Sequence, residues 1–181
     1  MRFLTVAAIA FVTTAGFGAW VVESEPGFYL RARYPLEYEH IIRGHARNYD
    51  LDPALLAAVV YVESRFDAEA RSAAGAVGLM QLLPDTAKGI ALRTGGARFV
   101  VSDLLDPEIN VRYGSWYLHH LRDRYDDTRL ALAGYHAGQG NVDEWLDSGG
   151  ALVFPETREY VREVTRVRDA YAKAYPGELG L

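Results

Sequence analysis

The chain of 181 residues contains no cysteine, which excludes disulfides, thiolate metal sites, a cysteine nucleophile and anchoring through a lipid-modified cysteine. Acidic residues outnumber basic ones, so the net charge is −5. This charge disfavours a nucleic-acid partner, because phosphate binding needs a basic surface. Half of the residues are apolar and 24% are charged, which excludes a disordered or collagen-like chain. The composition is that of one globular domain of ordinary size.

Motifs for metals and common cofactors are missing as well. The sequence has no His-Glu-x-x-His motif, phosphate-binding loop or dinucleotide fingerprint. His119 and His120 are adjacent, so on a helix they diverge by about 100° and cannot share a metal ion. Asp103 and Asp106 are typical of helix caps and solvated turns. We therefore expect neither a metal nor a cofactor.

The N-terminal residues 3–22 form an uncharged run that suits a membrane. A helix of that length covers about 30 Å, the hydrocarbon thickness of a bilayer. Arg2 precedes the run while Glu23 and Glu25 follow it, which predicts a cytoplasmic N-terminus and an exported remainder. The alternative is a cleaved signal peptide, for which Gly16-Phe17-Gly18 is the nearest approach to a cleavage site. Both interpretations export the domain.

The remainder reads as helices separated by joints rich in glycine and proline. We divide it into a linker at 23–35, a domain at 36–176 and a tail at 177–181. Asp52 and Pro53 are a helix start, and the following run 54–62 is apolar on every side, so it predicts a central buried helix. Residues 71–83 are irregular or weakly β. The predicted fold is mostly α, with a small irregular segment and one N-terminal transmembrane helix.

Glu63 lies at the end of the predicted central helix. Burial would raise the pKa of its carboxyl, and an acid protonated near neutral pH can donate a proton to a leaving oxygen. The alternative is that Glu63 marks the point where the helix reaches solvent, paired with Arg65 or Arg71.

Several blocks in a fixed order give the chain a family resemblance. Tyr38 to Tyr175 resembles the catalytic domain of soluble lytic transglycosylases, which implies an α+β lysozyme-like fold acting on peptidoglycan. The blocks that carry this resemblance are Glu63-Ser64-Arg65-Phe66, Ser72-Ala73-Ala74-Gly75, Gly78-Leu79-Met80-Gln81, Asn110 with Gly114, Ala133-Gly134-Tyr135-His136-Ala137-Gly138 and Glu156-Thr157-Arg158-Glu159-Tyr160-Val161.

The resemblance implies that Glu63 is the single catalytic acid and base. It would protonate the oxygen between N-acetylmuramic acid and N-acetylglucosamine. It would then take a proton from the muramyl 6-hydroxyl, giving a 1,6-anhydro product without water. A tethered hydroxyl has a high effective concentration, and one group can serve as acid and then base, so the second carboxylate of ordinary glycosidases is not needed.

The resemblance also implies substrate contacts on both sides of Glu63. Ser72 matches a serine near the acetamido group, and Met80 and Gln81 match positions that line the groove around a sugar ring. Glu156 matches a carboxylate that meets the stem peptide. The alternatives are a core methionine at position 80 and an acid that favours the first turn of a helix at position 156.

The resemblance also implies that Tyr135, His136 and Tyr160, in the last two blocks, are substrate-binding positions. Tyr135 matches the tyrosine that hydrogen-bonds near this carboxyl and orients it, although a core tyrosine is an alternative. Tyr160 matches the aromatic residue of the last block. His136 departs from the family, which usually has asparagine there. We expect His136 to imitate the amide donor of that asparagine through one ring nitrogen and to make activity more sensitive to pH.

The sequence thus predicts a membrane-anchored lytic transglycosylase that cleaves peptidoglycan strands outside the cell membrane. We expect a monomer without a nucleic-acid partner. Two alternatives are a lysozyme-type hydrolase of the same fold and a glycan-binding module without activity.

Overall fold

The computed structural model describes residues 24–150 and 152–181, which form nine α-helices and one short 3-10 helix. The 3-10 helix is Val101–Leu105. The α-helices are α1 Gly27–Arg33, α2 Glu39–Asn48, α3 Pro53–Ser64, α4 Pro84–Thr94, α5 Pro107–Tyr125, α6 Thr128–Ala137, α7 Gln139–Asp147, α8 Pro155–Ala174 and α9 Pro176–Leu179.

The predicted central helix is α3, and its burial is confirmed. Asp52 caps it by accepting a hydrogen bond from the Ala54 amide at 2.8 Å, and Pro53 occupies the first turn. All residues from 54 to 61 are buried. Helix α3 packs against α8 on one side and α2 on another, so its apolar side chains fill the main core. Its C-terminal end is therefore fixed from several directions.

A smaller apolar cluster lies under α4 and beside α5. It contains Val77, Leu82, Ile90 and Leu104, and Tyr113 of α5 closes it. The segment expected to be weakly β has only two isolated bridges, Arg71 with Val77 and Val77 with Leu82. Since this segment joins α3 to α4, it connects the main core to the smaller cluster.

The segment described above as a linker differs from that interpretation. Residues Gly27–Arg33 form α1, and Leu30 is buried against the main core. The Tyr171 hydroxyl of α8 donates to the Pro35 carbonyl at 2.7 Å. Pro26 and Gly27 suggest a flexible joint in the sequence, but here they precede a helix whose single leucine reaches the core. The predicted tail contains α9, whose Leu179 is also buried.

The predicted membrane-spanning run at residues 3–22 lies outside the described residues. Within residues 24–150 and 152–181, each helix is too short or too polar to span a bilayer.

Candidate active site

Glu63 is the penultimate residue of α3, where the buried helix meets the surface of the domain. The chain turns sharply after it, because Arg65 and Phe66 both have positive φ angles, 52° and 66°. Ser64 fixes this turn, since its hydroxyl lies 2.8 Å from the Leu79 carbonyl and donates to it. The end of α3 is thereby attached to the loop that precedes α4.

The Glu63 carboxyl faces a cavity of about 460 Å³. The wall is largely apolar, with Leu82, Leu83 and small side chains. Among the described residues, Glu63 is the only carboxylate that lines this cavity. The polar or aromatic side chains in the wall, apart from Thr86, are those of Glu63, Ser72, Gln81, Tyr117, Tyr135 and His136.

Burial raises the pKa of Glu63 to about 7, because its effect exceeds that of an opposing hydrogen bond from Tyr160. The Tyr160 hydroxyl donates to Glu63 Oε1 at 2.7 Å, which favours the charged carboxylate and lowers the pKa. Near neutral pH both protonation states of Glu63 are therefore populated. Such a group can give a proton and take one back within a single reaction.

Tyr160 is held by a ring stack with His136. The two ring centroids are 4.4 Å apart and the planes are 19° from parallel. Burial and the neighbouring Glu63 raise the pKa of Tyr160 well above its usual value, so its hydroxyl remains a donor. Desolvation of the His136 ring lowers its pKa, while Glu156 acts in the opposite direction. The stack links α6 to α8 directly beside the carboxyl.

The expected contact of Tyr135 with the catalytic carboxyl differs in the structure. The Tyr135 hydroxyl donates to the Met80 carbonyl at 2.7 Å, and the orienting hydrogen bond to Glu63 comes from Tyr160. Tyr135 still lines the cavity, with its ring centroid 5.5 Å from that of Tyr117. Tyr160 therefore orients Glu63, and Tyr135 fixes the loop that carries Met80.

The Met80 side chain does not line the groove. It is fully buried, and its sulfur packs so closely on Gly114 that a Cβ at that position would overlap it. Met80 is thus a core residue, the alternative given above, and Gly114 is required by its packing. The backbone of Met80 contributes to the site by accepting the Tyr135 hydrogen bond.

The other predicted substrate-binding residues occupy different positions around the cavity. Ser72 is exposed at the wall, and its hydroxyl accepts from the Ala76 amide at 3.0 Å. Gln81 also lines the wall, but its amide group donates to the Ala70 and Gly78 carbonyls and so stabilises its own loop. Glu156 is exposed in the first turn of α8, one turn before Tyr160, and is not part of the wall.

Asn110 is the supporting residue whose role the sequence did not reveal. Its side chain is fully buried in α5, donates to the Val77 and Leu104 carbonyls at 2.9 and 2.8 Å, and accepts from the Met80 amide at 2.8 Å. A Cβ on Gly78 would overlap this amide group, which explains the glycine. The sequence feature that could have indicated this role is a polar residue on the apolar face of a helix.

The family model for the transglycosylase SLT domain matches residues 40–154. The mostly helical lysozyme-like fold and the cavity fit that class of domain, and the chain belongs to this family. The resemblance noted in the sequence is thereby confirmed.

Three relatives illustrate the similarity. The soluble lytic murein transglycosylase of Salmonella typhimurium is 30% identical over 83% of this chain and 25% of its own length. The membrane-bound lytic murein transglycosylase F of Pseudomonas fluorescens is 36% identical over 64% of this chain and 23% of its own. The solved structure of an inactive glutamate-to-glutamine mutant of lytic transglycosylase Slt from Pseudomonas aeruginosa superimposes with a TM-score of 0.73 at 31% identity, covering 92% of this chain and 29% of that one. The chain spans about a quarter of the length of these relatives.

Proposed function

We propose that this chain is a peptidoglycan lytic transglycosylase, which cleaves the β-1,4 bond between N-acetylmuramic acid and N-acetylglucosamine without water. The observation that carries the proposal is the state of Glu63, a buried carboxyl with a pKa of about 7 in a cavity of sugar size. Membership of the transglycosylase SLT domain family supports the same substrate class.

The reaction needs one proton to leave Glu63 and one to return. Protonated Glu63 donates to the glycosidic oxygen, and the bond from that oxygen to the muramyl C1 breaks. The 6-hydroxyl oxygen of the same muramyl ring bonds to C1, and its proton passes to the Glu63 carboxylate. The product is a 1,6-anhydro sugar, and the enzyme is restored without water.

The wall of the cavity favours this route over hydrolysis. An ordinary glycosidase uses a second carboxylate as nucleophile or base, and in the described chain Glu63 is the only one in the wall. An internal hydroxyl avoids this requirement because it is already tethered to the reacting ring. The apolar side chains around Glu63 keep the carboxyl partly protonated, as the first step demands.

Product analysis by mass spectrometry tests the proposal. Digestion of purified peptidoglycan should release anhydro-muropeptides, whereas a hydrolase would release reducing ends. The Glu63→Gln variant should bind the same strands with no turnover. Reducing products, or turnover by Glu63→Gln, would contradict the mechanism, and binding without turnover by the unaltered chain would indicate a glycan-binding module.

We further propose that residues 3–22 anchor the protein in the cell membrane with the N-terminus in the cytoplasm and the domain at 36–176 outside. The uncharged run and its flanking charges support this orientation. Of the relatives, one is named as soluble and another as membrane-bound, so family membership alone permits either state. N-terminal sequencing of the protein from membranes should recover the intact run, whereas a mature chain that lacks it would indicate a signal peptide.

A further inference from the structure

A second groove runs along the outward face of α8, on the side of that helix opposite the main core. It has a volume of about 580 Å³. The inward face of α8 carries Tyr160, Val164 and Tyr171, which are buried. The outward positions 158, 162, 166 and 173 fall on one face of a 3.6-residue helix. We name this cavity the α8 groove, and its floor and rim include Leu30, Arg129, Val161, Arg162, Arg166 and Lys173.

The α8 groove is amphipathic. Leu30, Val161 and Ala170 form an apolar floor, and Phe28 of the neighbouring α1 is 61% exposed. The residues that line the groove include four basic side chains and two acidic ones, and three of the basic side chains pair with the acids Asp127, Glu159 and Glu163 just outside it. An apolar floor beneath a basic rim matches a molecule with an anionic head and an apolar tail.

Two of the four basic side chains on the rim, Arg129 and Arg162, are available for exchange, whereas Arg166 donates to the Tyr34 hydroxyl and Lys173 to the Ser24 carbonyl. Arg129 pairs with Asp127 at 3.3 Å, and the side chain of this arginine is 78% exposed. Arg162 pairs with Glu159 at the surface. Exposed ion pairs of this kind contribute little to stability, so a phosphate can replace the carboxylate partner at small cost. Arg129 and Arg162 can therefore exchange their carboxylate partners for an anionic ligand in the groove.

The chain enters the described structure at this groove. The Lys173 ammonium donates to the Ser24 carbonyl at 2.9 Å, which fixes the chain two residues after the uncharged run 3–22. A membrane that holds residues 3–22 would therefore lie close to the α8 groove. Tyr160, which donates to Glu63, lies on the inward face of α8, away from the groove.

We propose that the α8 groove rests on the membrane and binds the headgroups of anionic phospholipids. This contact orients the domain on its anchor and leaves Glu63 on the inward side of α8, away from the headgroups. The proposal rests on the proposed export of the domain beside the membrane, but it makes no use of the transglycosylase reaction.

The test uses the full chain in vesicles and exploits the absence of cysteine. A single fluorophore is attached through Thr165→Cys in the groove or, in a second protein, through Phe28→Cys on α1. The control label is Ser102→Cys, on the 3-10 helix of the smaller cluster. Brominated lipids in the vesicle quench only a label that touches the bilayer. The vesicles are neutral phosphatidylcholine, with or without phosphatidylglycerol.

We expect quenching of the Thr165 label in the groove and of the Phe28 label on α1 when phosphatidylglycerol is present, and little quenching in neutral vesicles. We expect no quenching of the Ser102 label in either. The pair Arg129→Gln and Arg162→Gln should weaken the contact about fivefold for each cation removed. The matched pair Lys88→Gln and Arg98→Gln, on and beside α4, should leave it unchanged. Higher salt should also weaken the contact.

Equal quenching in both vesicle types, no quenching, or no effect of the Arg129 and Arg162 pair would overturn the proposal. Binding of inorganic phosphate to the groove, with no quenching of either label in phosphatidylglycerol vesicles, would assign the groove to a soluble anion and overturn it too. Sedimentation with neutral vesicles reports on residues 3–22 alone. Failure of the anchor is therefore distinguished from failure of the groove.

Discussion

A single hydrogen bond from Tyr160 adjusts the acidity of Glu63, and Tyr160→Phe isolates its effect. The bond favours the carboxylate, so its loss should raise the pKa of Glu63 above about 7. Because catalysis begins with protonated Glu63, activity falls as the pH rises through this pKa. A hydrogen bond to a charged group contributes about 1.5–3 kcal/mol, so we expect the alkaline limb of the pH–rate profile to move up by about one unit or more.

Loss of orientation should also lower the maximal rate of Tyr160→Phe, by about tenfold. The ring stack with His136 is retained by phenylalanine, so the change is confined to the hydroxyl. Tyr117→Phe is the matched control, since Tyr117 lines the same cavity but is not the donor to Glu63. An alkaline limb that stays in place in Tyr160→Phe would mean that the hydrogen bond does not set the acidity.

Protonation of His136 should determine the acid limb of the pH–rate profile. Burial lowers its pKa below the ordinary value of 6.5, so the ring is neutral near pH 7 and gains a proton only at a pH below that ordinary value. A positive charge stacked on Tyr160 would favour the Glu63 carboxylate and remove the proton that catalysis needs. We therefore expect activity to fall on the acid side, and His136→Asn to restore activity there.

The pH–rate profile of His136→Asn is compared with that of His120→Asn, which removes an exposed histidine of α5. Glu156 faces His136 and favours its charged form, so Glu156→Gln should move the acid limb of the unaltered chain to lower pH. An identical acid limb in His136→Asn and the unaltered chain would rule out a role for this histidine.

At the scale of elements, the helices were largely predictable and the loop between α3 and α4 was not. Asp52 and Asp106 mark helix starts through local capping, which depends on neighbours in the sequence. Which tyrosine reaches Glu63 depends instead on how α6 and α8 pack against α3, and periodicity does not determine that. The sequence therefore predicted the buried helix and its terminal carboxyl, but assigned the orienting role to Tyr135, whereas Tyr160 makes the hydrogen bond to Glu63.

The loop itself depends on contacts that are distant in sequence. Asn110 holds it from α5, thirty residues after Met80. Asn110→Ala would remove the Asn110 partner of the Met80 amide and the Leu104 carbonyl, whereas the Val77 carbonyl keeps its hydrogen bond from the Leu82 amide. Each buried group left without a partner costs about 1–3 kcal/mol, so we expect a loss of about 2–6 kcal/mol in the free energy of unfolding, measured by urea denaturation. Since the loop also carries the Tyr135 contact, activity should fall in the folded variant.

Asn141→Ala is the matched control, because the Asn141 amide makes one hydrogen bond, to the Ala137 carbonyl at 2.7 Å, at a partly buried site. We expect a loss of about 1 kcal/mol there. Similar losses in the two variants would show that Asn110 does not fix the loop.

For the molecule as a whole, the catalytic carboxyl carries a cost in stability that depends on pH. The pKa of Glu63 is 4.5 when unperturbed and about 7 in the folded protein, so the unfolded chain releases this proton more readily. The contribution of Glu63 to the free energy of unfolding is therefore largest below pH 4.5 and is lost as the pH rises through about 7. Well above pH 7 the penalty is constant, at about 3 kcal/mol.

Glu63→Gln removes this penalty while keeping the size of the side chain. We expect the variant to gain about 2 kcal/mol more in the free energy of unfolding at pH 8 than at pH 5, measured by urea denaturation at both values. Glu69→Gln, an exposed acid in the loop after α3, should show no such difference. A gain that is independent of pH would show that Glu63 is not desolvated, and the proton donor proposed for the reaction would be lost with it. The same burial that destabilises the folded protein above pH 7 is what keeps Glu63 available as an acid, so stability and activity should respond to pH through one side chain.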